Sequence, residues 1–328
     1  MAVNTICVRK KSPFVEVRMW PKDEEILLAP IIHVTQPGPE YRNIMRRLWR
    51  ACNYWIKCPK NLQKIYGDIG DTIYNVALIL DDIEDLTKVR RGIPAAHMVY
   101  GVPLTVQATI HKAILLFQDL IYHLGDSEEL ADGFIKVGLD LMTGQGVEIY
   151  YRDTETCPTF DDFRVVVQGK ASYTFMWGVR LLEMFAKTKK INFSNEFWDK
   201  IGYFIQVYDD YINLHNPKWA TVRVFCDDLD EGKFSYPIIH AIQSHPEDHR
   251  LINLLKKRPL DLESKKLFVD IMESFGSFEH SREFLEDLKR GILEEVKKIK
   301  LERNLHLERV LDDIFTNLET KIFIDGCD

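Results

Sequence analysis

Two apolar, helix-like stretches of this chain each lead directly into a cluster of acids, and this feature constrains the fold more than any other. The stretches are residues 76–80 and 204–208; the acids are Asp81, Asp82 and Asp85 in the first cluster and Asp209 and Asp210 in the second. Helix residues at i, i+1 and i+4 share one side, so the first three carboxylates can reach into one space. A solvated acidic face is the alternative for either cluster alone, but two such transitions in one chain favour a shared site.

Carboxylates that crowd in this way repel one another unless a cation lies between them. Hard oxygen ligands without a suitable His/Cys set indicate Mg²⁺, which usually completes its coordination with waters and substrate phosphates. The paired arginines Arg90 and Arg91 follow the first cluster. Two acidic clusters and an arginine pair together indicate a site for a diphosphate.

The composition is that of an ordinary globular protein, with 328 residues, 46% hydrophobic and 28% charged. A net charge of −7 does not indicate a nucleic-acid surface. The six cysteines show neither CxxC nor zinc spacing, which favours free thiols in a reducing compartment. No apolar run approaches the ~18 residues of a membrane span, and the N-terminal basic residues follow a short apolar stretch, the wrong order for a secretory signal. We therefore predict a cytoplasmic enzyme with no membrane span and no nucleic-acid partner.

Apolar residues recur at three- and four-residue steps from Tyr41 onward, which is the helical period. The pattern predicts helices over about 41–56, 61–85, 103–124, 128–152, 161–187, 194–215, 237–244, 249–257, 262–274 and 279–317. Strand-like alternation is rare, so we predict one all-α domain at 25–320, between an N-terminal arm at 1–24 and a C-terminal tail at 321–328. The last helix fits packing on the core, with a coiled coil as the alternative.

The acids belong to a longer, ordered series of motifs. They are Leu80 to Asp85, Arg90-Arg91-Gly92, Ala96-His97, Gly144-Gln145-Gly146, Tyr150 to Asp153, Cys157-Pro158-Thr159, Asp209 to Leu214 and Asp228 to Pro237. With these motifs the chain resembles the geranylgeranyl diphosphate synthases of animals and fungi, members of the isoprenyl diphosphate synthase family. The resemblance runs from about Glu25 to beyond Glu279 and covers most of the chain.

That resemblance implies a helical bundle of the isoprenoid synthase type, a homodimer, and three Mg²⁺ ions (or Mn²⁺) on an allylic diphosphate. It implies a first metal set of Asp81, Asp82 and Asp85, and a second set of Asp209, Asp210 and Asn213. It also implies diphosphate contacts from Arg90, Lys170, Lys233 and Gln206, with Arg223 where the family usually has lysine. Metal and cationic side chains would neutralise a leaving group that is otherwise poor.

Departures from the family pattern fall on the site for the second substrate, isopentenyl diphosphate. The lysine of the family's Gly-Lys-x-x-Arg segment is Pro39 here, and the family's histidine seven residues before Asp81 is Tyr74. Arg42 and Arg91 remain. The isopentenyl site is therefore eroded, whereas the residues for ionisation are kept.

The predicted cavity wall also differs from that of the family. Tyr173 stands where the family has glycine, Trp177 is close by, and Val76 stands where a smaller residue is common. Aromatic faces stabilise carbocations, and a contoured pocket folds a flexible chain. The alternative is that both aromatic residues belong to the ordinary core.

These observations lead to three hypotheses. The first is a class I terpene synthase that ionises a prenyl diphosphate, preferably geranylgeranyl diphosphate, similar to insect terpene synthases derived from this family. The second is a geranylgeranyl diphosphate synthase that still condenses isopentenyl diphosphate with an allylic partner. The third is a non-catalytic regulatory subunit of such a synthase, against which the intact acids argue.

Overall fold

A computed structural model describes residues 24–35, 44–125, 127–187, 191–215 and 225–318. Within these ranges the chain forms sixteen α-helices, one π-helical turn and one short hairpin. The helices are α1 Glu24–Leu27, α2 Ala29–Thr35, α3 Ile44–Ile56, α4 Lys60–Glu84, α5 Ala96–Tyr100, α6 Val102–Leu124, α7 Glu128–Asp153, α8 Phe160–Val167, α9 Tyr173–Ala186, α10 Asn195–His215, α11 Asp227–Glu231, α12 Tyr236–Ser244, α13 Arg250–Leu255, α14 Leu262–Ser274, α15 Ser277–Lys298 and α16 Leu305–Leu318. The π-helix is Gln168–Ser172, and the strands are β1 Val89–Arg90 and β2 Ile93–Pro94. The predicted all-α class is confirmed.

Helix α10 lies at the centre of the bundle, and most of its length is buried. It packs against α15 on one side and against the π-helix on another, and α12, α9 and α11 also contact it. Its apolar residues Phe204, Val207 and Leu214 are buried in the main core. A helix that is apolar around most of its circumference belongs inside a bundle. The second acidic cluster therefore starts from the middle of the core.

The predicted helix 161–187 is interrupted by the π-helix between α8 and α9. Here the backbone runs very close to α7: a Cβ on Gly169 would lie 2.3 Å from the carbonyl oxygen of Asp140 and 2.9 Å from the Cα of Gly144. Two glycines are needed at this crossing because any side chain would separate the helices. The crossing fixes Lys170, the next residue, against α7.

The predicted helix 279–317 is also two helices, and this boundary was wrong. Lys300 adopts a left-handed backbone conformation, with φ of 55°. The side chain of Asn304 then accepts hydrogen bonds from the backbone N–H groups of His306 and Leu307, both at 3.1 Å, and donates one to the carbonyl of Ala51 at 2.7 Å. Asn304 thus starts α16 and ties it to α3. Helix α15 buries its apolar face on the core, so the packed-helix reading is confirmed over the coiled coil.

Helices α1, α2, α5 and α11 and the hairpin were not predicted. Helix α2 contains Pro30, but in its first turn, where proline costs no hydrogen bond. Its buried Ile31 and Val34 pack in a second small core with Ile79, Ala96 and Ala108. Most of the predicted arm (1–24) and the whole tail (321–328) lie outside the described residues. None of the helices in the described ranges is long and apolar enough to cross a membrane.

Candidate active site

A cavity of about 180 Å³ lies among α4, α7, α10 and the π-helix. One part of its lining is charged and polar: Asp81, Glu84, Asp85, Gln145, Lys170, Gln206, Asp209, Asp228, Glu231 and Lys233. The rest is largely apolar: Trp49, Ile73, Tyr74, Ala77, Leu78, Leu80, Leu141, Met142, Ala171, Thr174 and Ile205. The chamber therefore offers a polar site and a hydrocarbon-like site within one hollow.

The first acidic cluster divides between two environments, contrary to the prediction that Asp81, Asp82 and Asp85 share one. Asp81 and Asp85 line the cavity, together with Glu84. Asp82 is only 1% exposed and pairs with Arg90, itself 3% exposed. Adjacent helix residues point about 100° apart, so Asp82 turns away from the direction of Asp81. Its predicted metal-ligand role remains a prediction that this geometry does not favour.

Asp81 is the most connected acid of the cavity. One carboxylate oxygen, Oδ1, lies 3.3 Å from the Nε2 of Gln145 and 3.5 Å from the Nζ of Lys170. The other, Oδ2, lies 3.4 Å from the Nη2 of Arg90. Asp81 therefore links α4, α7 and the π-helix at the polar end of the cavity.

Lys170 lies between two carboxylates, because it also pairs with Glu148. Burial favours the neutral amine, but Glu148 and then Asp81 outweigh it and raise the pKa of Lys170 above its usual value. The ammonium is therefore charged at neutral pH. A fixed cation of this kind can receive the oxygens of a diphosphate.

Asp85 ends α4 and accepts a hydrogen bond from the Nη1 of Arg152 at 2.6 Å. Even so, burial and then the neighbouring charge of Asp81 raise its pKa well above the usual value. Burial likewise raises the pKa of Glu84. Among its lining residues the polar end carries six carboxyl groups and two lysines, so a bound cation would be favourable there.

The second acidic cluster also divides. Asp209 lines the cavity, whereas Asp210 is fully buried. The carboxylate of Asp210 accepts three hydrogen bonds: from the Nε2 of Gln206 at 2.9 Å, the Nζ of Lys233 at 3.1 Å and the backbone N–H of Tyr236 at 2.9 Å. Burial raises the pKa of Asp210, with Lys233 opposing it. Asp210 thus holds Lys233 and the start of α12 in place. It was predicted as a metal ligand, but it does not line the cavity.

Asn213 is also buried, and its Oδ1 accepts the backbone N–H of Asp228 at 3.2 Å. It was predicted as a metal ligand, but in this structure it holds the beginning of α11. That helix brings Asp228 and Glu231 to the cavity. Burial raises the pKa of Asp228 well above its usual value, and Asp210 adds to this while Lys233 opposes it.

The arginine pair lies on the hairpin, whose two-residue turn has positive φ angles of 56° at Arg91 and 77° at Gly92. Arg90 donates from its Nε and Nη2 to Asp82 and Asp81, its buried Nη1 has no acceptor among the described residues, and it does not line the cavity. Its predicted role as a diphosphate clamp remains a prediction. Arg91 donates to the carbonyl of Val34 at 2.9 Å and to the Oδ1 of Asn75 at 3.1 Å. The predicted ligands Arg42 and Arg223 lie outside the described residues.

The apolar wall differs from the predicted one. Tyr173 does not line the cavity; its ring lies below the Nζ of Lys136 at 5.4 Å. Trp177 is buried against Gly133 and Phe134, so here the ordinary core reading is correct. Val76 is also absent from the lining, because the cavity face of α4 carries Ile73 and Ala77 at four-residue spacing. Tyr74, in contrast, does line the cavity.

Among the residues that the structure describes, no three His, Cys, Asp or Glu side chains are grouped closely enough to hold a metal ion. The donor chemistry of the cavity nevertheless fits a hard divalent cation, since the oxygens of Asp81, Asp85, Asp209 and Asp228 line one chamber. Two buried carboxylate oxygens, Glu84 Oε2 and Asp228 Oδ2, have no hydrogen-bond donor. Buried acceptors of this kind are costly unless a ligand satisfies them.

Sequence reasoning did not assign roles to five residues of this site: Gln145, Glu148, Arg152, Asp228 and Glu231. Three of them lie on α7 at the spacing i, i+3, i+7, on the face that also carries Leu141. That spacing next to a glycine pair was a usable signal for a polar helix face turned inward. The acids of α11 show no such helical spacing, but they belong to the Asp228–Pro237 motif that carries the resemblance, and that motif was the available signal.

Comparison with known proteins gives a consistent result. The family model described as polyprenyl synthetase matches residues 24–272, more than half of the chain. A protein named terpene synthase from Matsumurasca onukii is 39% identical over 299 residues, which cover 91% of this chain and 96% of that protein.

Two fungal relatives carry a different name. A geranylgeranyl pyrophosphate synthase from Mucor circinelloides f. lusitanicus is 34% identical over 293 residues, covering 89% of this chain and 93% of that protein. Another from Gibberella zeae is 35% identical over 283 residues, covering 84% of this chain and 74% of that protein.

Proposed function

Because this chain belongs to the polyprenyl synthetase family, we propose that it is a class I terpene synthase: it ionises a prenyl diphosphate to a carbocation and releases a terpene and pyrophosphate. Family membership confirms the predicted resemblance and the isoprenoid synthase type of the all-α fold. It also supports an enzyme that acts on prenyl diphosphates. Geranylgeranyl diphosphate is our preferred substrate.

The two ends of the cavity suit the two ends of such a substrate. Lys170 and Lys233 line the polar end, and neighbouring carboxylates keep both ammonium groups charged. They would donate hydrogen bonds to the diphosphate and stabilise the negative charge that develops on the leaving group. The apolar wall would bury the hydrocarbon tail and exclude water from it.

Enzymes of this family generally use a divalent metal, and the carboxylates Asp81, Asp85, Asp209 and Asp228 fit that requirement. We propose three Mg²⁺ ions, with Mn²⁺ as the alternative. When bound, the metal neutralises diphosphate charge and makes pyrophosphate a better leaving group. Glu84 and Glu231 lie in the same lining and add to the negative potential that attracts cations.

The apolar wall of the described cavity contains neither a carboxylate nor a histidine. A cation formed there would therefore lose its final proton to a base at the polar end. We propose the released pyrophosphate as this base, because it would remain at the polar end beside the carbon that it has left. The Lys170 and Lys233 ammonium groups would hold it in place.

The environment of Tyr74 and Arg91 is the main observation in favour of a terpene synthase. Tyr74 lines the cavity where the resemblance places a histidine for the second substrate, and its ring lies 6.0 Å from the guanidinium carbon of Arg91. Arg91 itself donates to the carbonyl of Val34 and to the Oδ1 of Asn75, and it does not line the cavity. Two of the groups that would bind isopentenyl diphosphate are thus replaced or engaged elsewhere.

A geranylgeranyl diphosphate synthase is the second candidate, favoured by the names of the fungal relatives. A non-catalytic subunit is the third, although a binding subunit has no need of the acids around Lys170 and Lys233. One assay separates them: purified protein with Mg²⁺ receives geranylgeranyl diphosphate alone, or isopentenyl diphosphate with a shorter allylic diphosphate. A terpene from the single substrate supports the proposal. Elongation only with both substrates indicates the second candidate, and no product in either arm indicates the third.

A matched variant sharpens this test. Pro39→Lys combined with Tyr74→His restores the two groups that the resemblance places in the isopentenyl site. We expect this variant to bind isopentenyl diphosphate more tightly than the wild type. An unchanged affinity would show that the loss of these groups does not explain a change of reaction.

We also propose a homodimer, as predicted from the sequence. Helices α6 and α7 carry exposed apolar residues at helical spacing, namely Ile110 and Ile114 on α6 and Ile135 and Leu139 on α7. An apolar surface of this kind is typical of a protein interface. Sedimentation of the wild type should give a dimer, and Ile114→Glu should shift it towards the monomer.

A further inference from the structure

We infer that Trp49 closes the apolar end of the cavity and so determines the longest hydrocarbon tail that the enzyme accepts. This inference rests on the proposed function, because it concerns the tail of the same prenyl diphosphate. Trp49 lies on α3, far in sequence from both acidic clusters. No motif in the sequence marks it as a site residue.

Trp49 occupies a slot between α4 and α9 that is formed by two glycines. A Cβ on Gly178 would lie 2.5 Å from two atoms of the indole ring, and a Cβ on Gly70 would lie 2.9 Å from a third. Real side-chain atoms do not approach so closely, so each glycine makes room for the ring. The ring therefore crosses the gap between the two helices.

Neighbouring groups hold the indole in this orientation. Its Nε1 donates to the carbonyl of Phe175 at 3.4 Å, and its ring is stacked on that of Phe175 with centroids 6.3 Å apart. Tyr66 meets it edge-on at 5.9 Å. The residue is only 6% exposed. Because Phe175 and Tyr66 hold the ring in place, Trp49 forms a fixed boundary of the cavity.

A second cavity of about 230 Å³ lies on the other side of this wall. Its lining is Trp49, Arg50, Asn53, Gln63, Lys64, Tyr66, Gly67, Asp71 and Leu182. Trp49 is the one residue of the described linings that belongs to both cavities. The second lining includes the polar side chains of Arg50, Asn53, Gln63, Lys64 and Asp71, and Arg50 and Lys64 are exposed to solvent. Trp49 thus lies between the apolar end of the first cavity and a second cavity that is bordered by solvent-exposed residues.

Helix α4 runs along both cavities, so the positions of its residues give the distance between them. The first cavity contacts it from Ile73 to Asp85, and the second from Gln63 to Asp71. At 1.5 Å per residue, Ile73 lies about 12 Å along the axis from Asp81, and Gln63 lies about 15 Å beyond Ile73. The two cavities are therefore arranged in series, with the diphosphate end at Asp81 and the Trp49 ring, beside Gly70, between them.

This arrangement has two consequences for the reaction. A tail that reaches Trp49 can extend no further, so longer prenyl diphosphates are excluded. The same ring keeps solvent in the second cavity away from the tail, and hence from a carbocation formed on it. Replacing the ring with a smaller side chain would join the two cavities into one channel.

The experiment measures binding of non-ionisable thiolodiphosphate analogues of increasing length: geranyl, farnesyl, geranylgeranyl and geranylfarnesyl. Wild type, Trp49→Leu and Trp49→Met are compared, the methionine variant because it fills much of the slot yet can be displaced by a ligand. Trp177→Leu is the matched control, since Trp177 is also a buried tryptophan packed on a glycine but lines neither cavity. Thermal unfolding verifies that each variant is folded.

We expect the wild type to bind the analogues up to one length and to discriminate against the next. In both Trp49 variants the affinity for the longer analogue relative to the shorter should rise by about tenfold or more, because each additional buried methylene contributes a factor of roughly four. The control should keep the wild-type ratio. An unchanged ratio in a folded Trp49 variant overturns the inference, whereas a wild type that binds no analogue refutes the proposed function itself.

Discussion

Arg90 donates from its Nε to the Oδ1 of Asp82 at 2.6 Å, and the two side chains form a buried ion pair. Burial alone would lower the pKa of Arg90, but Asp82 and Asp81 raise it well above its usual value. The pair joins the end of α4 to the hairpin that carries Arg91. We propose that the pair positions the cavity-lining Asp81, which accepts a second, longer contact from the same guanidinium.

Arg90→Met should destabilise the fold by about 3–5 kcal/mol, since it leaves a buried carboxylate without its guanidinium. The free energy of unfolding in urea measures this. Arg164→Ala, which breaks an ion pair with Asp199 whose arginine is largely exposed, should cost no more than about 1 kcal/mol. Combining Arg90→Met with Asp82→Leu should recover much of the loss. Equal effects of the two single variants would contradict this role of the pair.

Asp81→Asn should reduce turnover by roughly 10²–10³-fold or more while leaving the fold intact. The carboxylate lies between Lys170 and Gln145 at the polar end of the cavity, and the amide that replaces it carries no charge. Product formation measures the first effect, and thermal unfolding the second. Asp132→Asn removes an exposed acid of α7 and is the matched control. Full activity in Asp81→Asn would contradict the assignment.

Magnesium should stabilise the protein in the absence of substrate. A ligand that binds only the folded state adds about 2.7 kcal/mol at 100 times its dissociation constant. Unfolding is followed with Mg²⁺ and with a chelator, and no turnover is required. The stabilisation should be smaller in Asp81→Asn and in Asp209→Asn, and unchanged in Asp132→Asn. The same stabilisation in all variants would place the metal elsewhere.

Gly169→Ala should destabilise the protein by about 1–3 kcal/mol, because the new methyl group would meet the carbonyl oxygen of Asp140 at 2.3 Å. Turnover should fall as well, since Lys170 is the next residue. Gly146 also lies on α7, but a Cβ there has no neighbour within 4 Å. Gly146→Ala should therefore stabilise the helix by about 0.5–1 kcal/mol. We expect the free energy of unfolding in urea to fall in Gly169→Ala and to rise in Gly146→Ala. A change in the same direction in both variants would contradict the close crossing of α7 and the π-helix.

Acid should weaken the fold through His240. Its ring is stacked on that of His280 with centroids 4.0 Å apart, and burial and then His280 lower its pKa from 6.5 to about 4. Between these two values the unfolded chain binds a proton that the folded chain does not, so the free energy of unfolding falls as the pH falls. His240→Asn should reduce the difference in stability between about pH 7 and about pH 5. An unchanged difference in stability between these two pH values in the variant would contradict this role of His240.

The sequence predicted the helical class and most long helices because their apolar residues recur at the helical period. The break before Asn304 was not predicted. Asn304 caps α16 through the nearby N–H groups of His306 and Leu307, but its contact with the carbonyl of Ala51 on α3 joins residues that are far apart in sequence. The sequence also could not show that Asp82 and Asp210 are buried while the other acids of their clusters line the cavity. Asp82 and Asp210 have the same residue type as their neighbours, and only the positions of Arg90 and Lys233 show which carboxylate turns inward.

The cavity wall was predicted less well for a related reason. Tyr173 and Val76 were singled out because they depart from a family pattern, but the direction of a side chain depends on helix rotation. The π-helix changes that rotation just before Tyr173. Trp49 shows the reverse case, since its position follows from two glycines that are distant from it in sequence.

The central claim is that the allylic diphosphate ionises here without a second substrate. Pyrophosphate release from geranylgeranyl diphosphate, in the presence of Mg²⁺ and with no isopentenyl diphosphate, tests this most directly when the organic product is identified in parallel. We predict that the wild type releases pyrophosphate together with a terpene, and that Asp81→Asn releases almost none. Pyrophosphate release that occurs only after isopentenyl diphosphate is added, with an elongated prenyl diphosphate as the product, would contradict it.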